Sequence, residues 1–330
     1  MPVSLLNGSI LCKVSIPKRM YDYPNKRKIH LNPTPKVGGI IIFSSLLVSS
    51  LLFGLLVDKV YNHYITLCVA FFLIGLLDDA FDWNYKKKLL AQILLIILFL
   101  IVIPVDVSTI MFSSISIHVP WLNYLLILLW ILGIINAFNF FDGINYLAGS
   151  LAILFFISYS LLPIDFQSVI HFEVYLILIF SILGFLFFNR APAKMFLGDS
   201  GSMFLGFLIA TLPLLFGSKT NVGIDVTFPA IITSILLMET IYLRFSRIKN
   251  KRSPFSPDKT HLHHQLLNLN LRNRYVVLII AFGTILFSIL AYFSRQLVFY
   301  QIMVIELFLF LLIIVLLRLL ARSRKPISIK

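Results

Sequence analysis

Long apolar runs separated by short polar segments dominate the chain. Ten recur: Val37–Val57, Tyr64–Leu77, Leu89–Val105, Trp121–Ile135, Ile144–Leu162, Val174–Phe188, Met203–Phe216, Val226–Phe245, Tyr275–Phe293 and Leu297–Leu317. Several approach the ~20 residues with which a helix crosses a bilayer core. Backbone N–H and C=O groups find no partner in hydrocarbon, so such runs are satisfied as helices, whose hydrogen bonds stay within the segment. The pattern predicts an all-α polytopic membrane protein of about ten transmembrane helices. One transmembrane domain over 37–317 is expected, between a basic N-terminal segment (1–36) and a basic tail (318–330). Residues 246–274 form the longest polar loop and the expected mobile element. The stretch Leu5–Leu11 is interrupted by Asn7, Gly8 and Ser9 and followed by Lys13, too short for a further span. It also lacks the charged start and small-residue cleavage site of a signal peptide.

Composition supports the pattern. Among 330 residues, 59% are hydrophobic and 13% charged, which excludes a water-surrounded globule, a disordered chain, collagen and a coiled coil. The two cysteines, Cys12 and Cys68, have neither disulfide-framework nor metal spacing. The formal charge of +14 raises nucleic acid as a partner until the charges are located. Assigning alternate gaps to alternate sides puts 25 of the 28 Lys and Arg on one side and leaves Lys59, Lys219 and Arg295 on the other. By the positive-inside rule the first side is cytoplasmic and holds both termini. The basic excess is then topological, and no nucleic-acid partner is expected.

The 14 acidic residues divide unevenly. Asp58, Asp106, Asp165, Glu173, Asp225 and Glu306 are scattered singly on or near the outer side and read as solvated loop charge, except that Glu306 falls inside the last run. Asp78, Asp79, Asp82, Asp142 and Asp199 instead sit where apolar helices meet the cytoplasm. Carboxylates from three helix ends on one face suggest a shared cation or anion. In Asp78-Asp79-x-x-Asp82, a continuing helix would put Asp78 and Asp82 on one face with Asp79 displaced by about 100°. Salt bridging to Lys86, Lys87 and Lys88 competes with a role in holding Mg²⁺ or handling a proton. Asn136, Asn139 and Asp142 lie three residues apart on a broad helix face, where a hard cation or helix-to-helix hydrogen bonding would satisfy them. In Phe196-Leu-Gly198-Asp199-Ser-Gly201, a glycine-flanked acid precedes a span, suiting either phosphate contact or a plain N-cap. Pro254-Phe-Ser-Pro-Asp-Lys259-Thr-His261-Leu-His263-His264 supplies three histidines. Zinc is disfavoured there because no cysteine accompanies them; contact with a pyrophosphate or nucleotide, helped by Lys259, is preferred over surface histidines without a role. Before the first run, Arg27-Lys-Ile-His30 leads into Pro33-Thr-Pro-Lys-Val-Gly38-Gly39, which reads as a lipid-headgroup anchor or as part of the site.

The order of these five motifs, all on the expected cytoplasmic side between Pro24 and His264, resembles the polyprenyl-phosphate N-acetylhexosamine-1-phosphate transferases (glycosyltransferase family 4). The Pro254-Phe-Ser-Pro-Asp-Lys loop is similar to the branch acting in O-antigen and related envelope polymers, using undecaprenyl phosphate and UDP-N-acetylglucosamine. The resemblance implies a bacterial inner-membrane enzyme with a cytoplasmic site. Its acceptor phosphate would attack the β-phosphorus of a UDP-N-acetylhexosamine and release UMP. A phosphate monoester with a second pKa near ~6 is largely dianionic at neutral pH, so charge repulsion is the larger obstacle than deprotonation. Carried over residue by residue, Asn139 and Asp199 are the expected Mg²⁺ ligands, with Mn²⁺ as substitute. Asp78 and Asp79 match paired carboxylates argued to be either base or positioning groups, and positioning of metal, Lys86 or acceptor is favoured. Asp142 is expected to contact substrate or metal-bound water, and His261, His263 and His264 the diphosphate. Asn136, Lys259, Arg27 and His30 complete the expected substrate-binding set, and a homodimer is one expected assembly. Family members usually carry a further span before the Arg27 segment, for which these residues leave no room. A transporter or flippase for an anionic lipid is the alternative. It would place polar groups near the bilayer midplane, where only Glu239 and Glu306 lie within runs.

Overall fold

The computed structural model describes residues 1–24, 32–161, 170–216, 219–220, 223–249, 261–269 and 271–323. Twelve helices follow in chain order: α1 (Pro2–Leu11), α2 (Gly38–Leu52), α3 (Lys59–Phe81), α4 (Tyr85–Val102), α5 (Pro120–Phe141), α6 (Leu147–Ser160), α7 (Ile170–Asn189), α8 (Gly198–Phe216), α9 (Thr227–Lys249), α10 (Leu262–Asn268), α11 (Asn273–Phe293) and α12 (Phe299–Ser323). Among the described residues each of the ten apolar runs contains a helix, and six helices are long and apolar enough to cross a membrane. The protein is an all-α integral membrane protein. Its strands are two or three residues long and tie helix connections together, as where Tyr21–Asp22 pairs antiparallel with Thr34–Pro35. The one-domain expectation over 37–317 stands beside a division into two compact units, Met1–Met111 with Ser116–Val226, and Phe112–Ile115 with Thr227–Lys330.

In the first unit α8 is the central helix, packed on α3 and α5 and buried over almost its whole length. Its Phe207 ring stacks on Phe71 of α3 with centroids 4.1 Å apart and meets Phe99 of α4 edge-on. Within this interior the Tyr64 and Thr211 hydroxyls satisfy one another at 2.7 Å. Close approach of α3 to the start of α8 depends on Gly75: a Cβ there would stand 2.5 Å from Asp199 O and Ser200 Cα. One turn further along α3 comes Asp79, which by the i,i+4 spacing faces the same way. The stretch Leu5–Leu11, read as too short for a span, belongs to the ten-residue α1, which seats Ser4 and Gly8 against α7. In the second unit α9 packs on α11 and α12, and Ser234 of α9 donates to Glu306 of α12 at 2.7 Å. Glu306 is therefore a buried, hydrogen-bonded carboxyl group rather than a solvated one.

Candidate active site

Five helix termini of the first unit bring their polar residues together. Asp78 and Asp79 end α3, Lys88 lies in the first turns of α4, Asn139 and Asp142 close α5, Asp199 opens α8, and Lys36 immediately precedes α2. Asp79 is 1% exposed, and its carboxylate grips the start of α8: Oδ1 accepts the Asp199 N–H at 3.0 Å and Oδ2 the Ser200 N–H at 2.8 Å. It occupies the helix N-terminus as a cap supplied from another helix, where orphan N–H groups and the helix dipole both favour an anion. Lys36 Nζ stands 3.3 Å from Asp79 Oδ1. Its position is fixed by backbone bonds from Gly38 N to Phe196 O and from Gly39 N to Leu197 O, which zip this segment along the approach to α8. Gly198 makes that approach possible with φ +76°, since a Cβ there would meet Asp79 Oδ2 at 2.7 Å.

Asp78 holds the turn after α3 by accepting Trp83 N–H on Oδ1 at 2.8 Å. Its other oxygen faces Lys88 Nζ at 2.8 Å, and the same ammonium reaches Asp199 Oδ1 at 2.6 Å. Asn139 Nδ2 also donates to Asp199 Oδ1, at 2.5 Å, and to Ser202 Oγ at 2.6 Å. Asp142 is half-buried just beyond α5. Burial first, then the nearby charges of Asp199 and Asp79, hold its carboxyl well above the usual carboxylate range. Among the described residues the carboxylates of Asp78, Asp79 and Asp199 thus face the two ammonium groups of Lys36 and Lys88, and a divalent cation would add positive charge there.

The donor chemistry fits such an ion. Among the described residues no group of three or more His, Cys, Asp or Glu is placed to hold a metal ion, so an ion here would take further ligands from amide oxygen, water or substrate. Asp199, Asp78 and Asn139, whose amide presents oxygen after a half-turn about its terminal bond, can provide hard oxygen donors. Mg²⁺ keeps several waters and takes substrate phosphates beside one or two carboxylates, which suits a set this sparse. The bridging position of Lys88 marks where a cation is held between Asp78 and Asp199.

Several expectations shift. Lys86 is exposed and outside the cluster, and Lys88 takes the place expected of it. The two lie about 200° apart on a helix, so only one can face inward. Asp82 does not share the face of Asp78, because α3 stops at Phe81 and Asp82 turns out in the left-handed conformation. Asn136 gives its amide to Gln92 Oε1 at 2.9 Å and to Leu132 O at 2.8 Å, so helix-to-helix bonding accounts for it and none of its hydrogen bonds reaches the carboxylates. Arg27, His30 and Lys259 fall outside the described residues. Lys36, Ser202 and Gln92 were not anticipated. A helix starting at Tyr85 under the Asn84 cap would have pointed to Lys88, whereas nothing local distinguishes Lys36.

The histidines belong to the second unit. His261 stands at the N-cap position of α10, with its Nδ1 3.3 Å from Glu239 Oε1; the same carboxylate oxygen accepts the Leu262 N–H at 2.7 Å. Glu239 thereby holds both the helix start and the imidazole. His263 is buried, its ring 5.8 Å from that of His261 and 4.3 Å from that of His264. Burial first, then His264 and His261, lower its pKa to about 3, so it is neutral at physiological pH.

Sequence comparison agrees with this architecture. Residues 62–217 match the model of glycosyl transferase family 4. The chain is 32% identical over 288 residues to a probable undecaprenyl-phosphate N-acetylglucosaminyl 1-phosphate transferase of Bacillus subtilis, covering 87% of this chain and 80% of that protein. An undecaprenyl-phosphate alpha-N-acetylglucosaminyl 1-phosphate transferase of Thermotoga maritima is 30% identical, covering 79% and 78%. A phospho-N-acetylmuramoyl-pentapeptide-transferase of Staphylococcus saprophyticus is 31% identical, covering 81% and 90%. With helices of membrane-spanning character and a carboxylate site gathered at their ends, the chain belongs to glycosyl transferase family 4. It is a membrane-embedded transferase.

Proposed function

We propose that the protein transfers N-acetylhexosamine 1-phosphate, N-acetylglucosamine 1-phosphate foremost, from a UDP-sugar to undecaprenyl phosphate at the cytoplasmic face of the bacterial inner membrane. This starts a lipid-linked envelope polysaccharide of the O-antigen kind. The names of relatives support a polyprenyl-phosphate acceptor and a sugar 1-phosphate. The observation that carries the reading is the cluster of Asp78, Asp79, Asp142, Asp199 and Asn139 at neighbouring helix ends, where the carboxyl groups outnumber the ammonium groups among the described residues. An acceptor phosphate oxygen forms a bond to the β-phosphorus of the donor. The bond from that phosphorus to the bridging oxygen breaks, and the electron pair leaves with UMP. Two anions must approach each other, so positioning and charge neutralisation are the main tasks. Asp199, Asn139 and Asp78 would hold Mg²⁺, or Mn²⁺ in its place, which when bound neutralises the diphosphate. Asp79 keeps Asp199 in position, and Lys36 and Lys88 supply further positive charge. His261, His263 and His264 would contact the donor diphosphate.

Detergent-purified protein should release UMP from one UDP-N-acetylhexosamine in the presence of undecaprenyl phosphate and Mg²⁺, and lose that activity with chelator or as Asp199→Ala. UMP release that is equal in the Asp199→Ala variant and the wild type overturns the site assignment, and product formation from a different nucleotide sugar overturns the donor.

A further inference from the structure

We propose that Lys88 is a displaceable internal counter-ion. Its ammonium holds Asp78 and Asp199 together while no divalent cation is bound, and swings to the donor's diphosphate when the cation site fills. The inference rests on the metal-site reading above and adds a competitor for that site from the chain itself. Three observations carry it. Lys88 Nζ bridges two carboxylates of different helices, at 2.8 Å from Asp78 Oδ2 and 2.6 Å from Asp199 Oδ1. Those are oxygens a divalent cation needs, whereas both oxygens of Asp79 are committed to backbone N–H groups and Asp78 Oδ1 to Trp83. Asp199 Oδ1 already accepts two donors, from Lys88 and Asn139, and a carboxylate oxygen has about two lone-pair positions. A cation bound there has to evict one of the two donors. Asn139 can stay by turning its amide so that oxygen faces the ion. An ammonium has three donors and no acceptor, so Lys88 has no such option and must leave.

Departure is mechanically open to it. The lysine stem has four rotatable carbons, and the Lys88 side chain is 15% exposed rather than sealed in. Lys36 is similarly exposed, at 17%, but its ion pair is to Asp79, whose two oxygens are taken by backbone N–H groups, so it does not stand on an oxygen open to a cation. An evicted Lys88 carries its charge to whatever anion arrives with the cation, here a diphosphate. Its release thus couples metal occupancy to donor binding, and an empty site is spared an unbalanced pair of carboxylates.

A purely structural lysine and a displaceable one predict opposite signs. Full-length protein in detergent is titrated with Mn²⁺ alone and free Mn²⁺ is read by its electron paramagnetic resonance signal. Lys88→Met, close in length but uncharged, should bind Mn²⁺ about tenfold more tightly than wild type, and Lys88→Arg should bind no better than wild type. At saturating Mn²⁺ the Lys88→Met enzyme should show a raised KM for the UDP-sugar. Unchanged or weakened Mn²⁺ binding in Lys88→Met, with Asp199→Ala abolishing it, overturns the proposal and leaves the metal site standing. Mn²⁺ binding that survives Asp199→Ala overturns both. A second measurement needs no variant: wild-type protein is treated with an amine-acylating reagent with and without Mn²⁺, and labelling is read residue by residue by mass spectrometry. Mn²⁺ should raise labelling of Lys88 several-fold and leave Lys86 unchanged. Equal or lower labelling of Lys88 overturns the displacement even if Lys88→Met fails to fold.

Discussion

Replacing Asp79 by Asn separates a holding role from a chemical one, and the structure fixes the size of the expected effect. The native carboxylate accepts two backbone N–H groups, at 3.0 and 2.8 Å, in a position 1% exposed. Hydrogen bonds to charged acceptors contribute roughly 1.5–3 kcal/mol each, and neutral ones about 1 kcal/mol. An asparagine keeps one oxygen for one N–H and turns its NH₂ toward the other, donor against donor. One charged bond is lost outright and the second falls to neutral strength. Lys36, 3.3 Å away, also loses its partner. The sum is a destabilisation of about 3 kcal/mol centred on the start of α8. Because Asp199 is one of the two residues held, it shifts, and a displacement near ~1 Å at a positioning group costs on the order of 10²-fold in rate. The assay pairs thermal unfolding of detergent-purified protein with UMP release. Lower melting temperature and lower activity together are expected, with Asp79→Glu recovering neither fully because its longer stem overshoots the helix start. Abolished activity at an unchanged melting temperature would refute the reasoning and assign Asp79 to the reacting atoms.

Other consequences can be measured in the same preparations. Gly198→Ala should lose at least about tenfold in activity and be less stable than wild type, since its positive φ costs a side-chain-bearing residue about 1–2 kcal/mol and the added Cβ meets Asp79; unchanged melting and activity would contradict the geometry. His263 has its folded pKa lowered from 6.5 to about 3, so the unfolded chain binds the proton first, and stability is present above about pH 6.5 and lost as pH falls toward 3. Going from neutral pH to about pH 5 should cost roughly 2 kcal/mol through this residue, an effect that His263→Gln should remove. An equal acid sensitivity in the two proteins would show that His263 is not held neutral.

Much of the site was legible in the amino-acid sequence because the signals are local. Asp78, Asp79, Asp142 and Asp199 stand next to apolar runs, and a carboxylate there has to lie at a helix end or find a partner, whatever the fold. The resemblance in motif order added the reading of Asn139 and the histidines. What could not be read were directions. Lys86 and Lys88 carry the same side chain two positions apart, and the choice between them follows from the Asn84 cap that sets where α4 begins. Asp82 looked equivalent to Asp78 until α3 ended one residue too early for it. Glu239 appeared as a stray charge in a span, yet it caps α10 and orients His261 across a gap in sequence.

The sequence alone determined that this is a helical membrane protein and that Asp78, Asp79, Asp142 and Asp199 lie at helix ends. Both follow from desolvation, which acts on each segment regardless of its neighbours. Tertiary structure alone decided which groups touch. Asp79 meets the backbone of Asp199 and Ser200 across some 120 positions, only because Gly75 admits α8 to the face of α3. A side chain's bearing turns by about 100° per residue, so a single step in a helix boundary re-aims every group on it. No local pattern records such a step, and the packing of α3, α4, α5 and α8 is what fixes it.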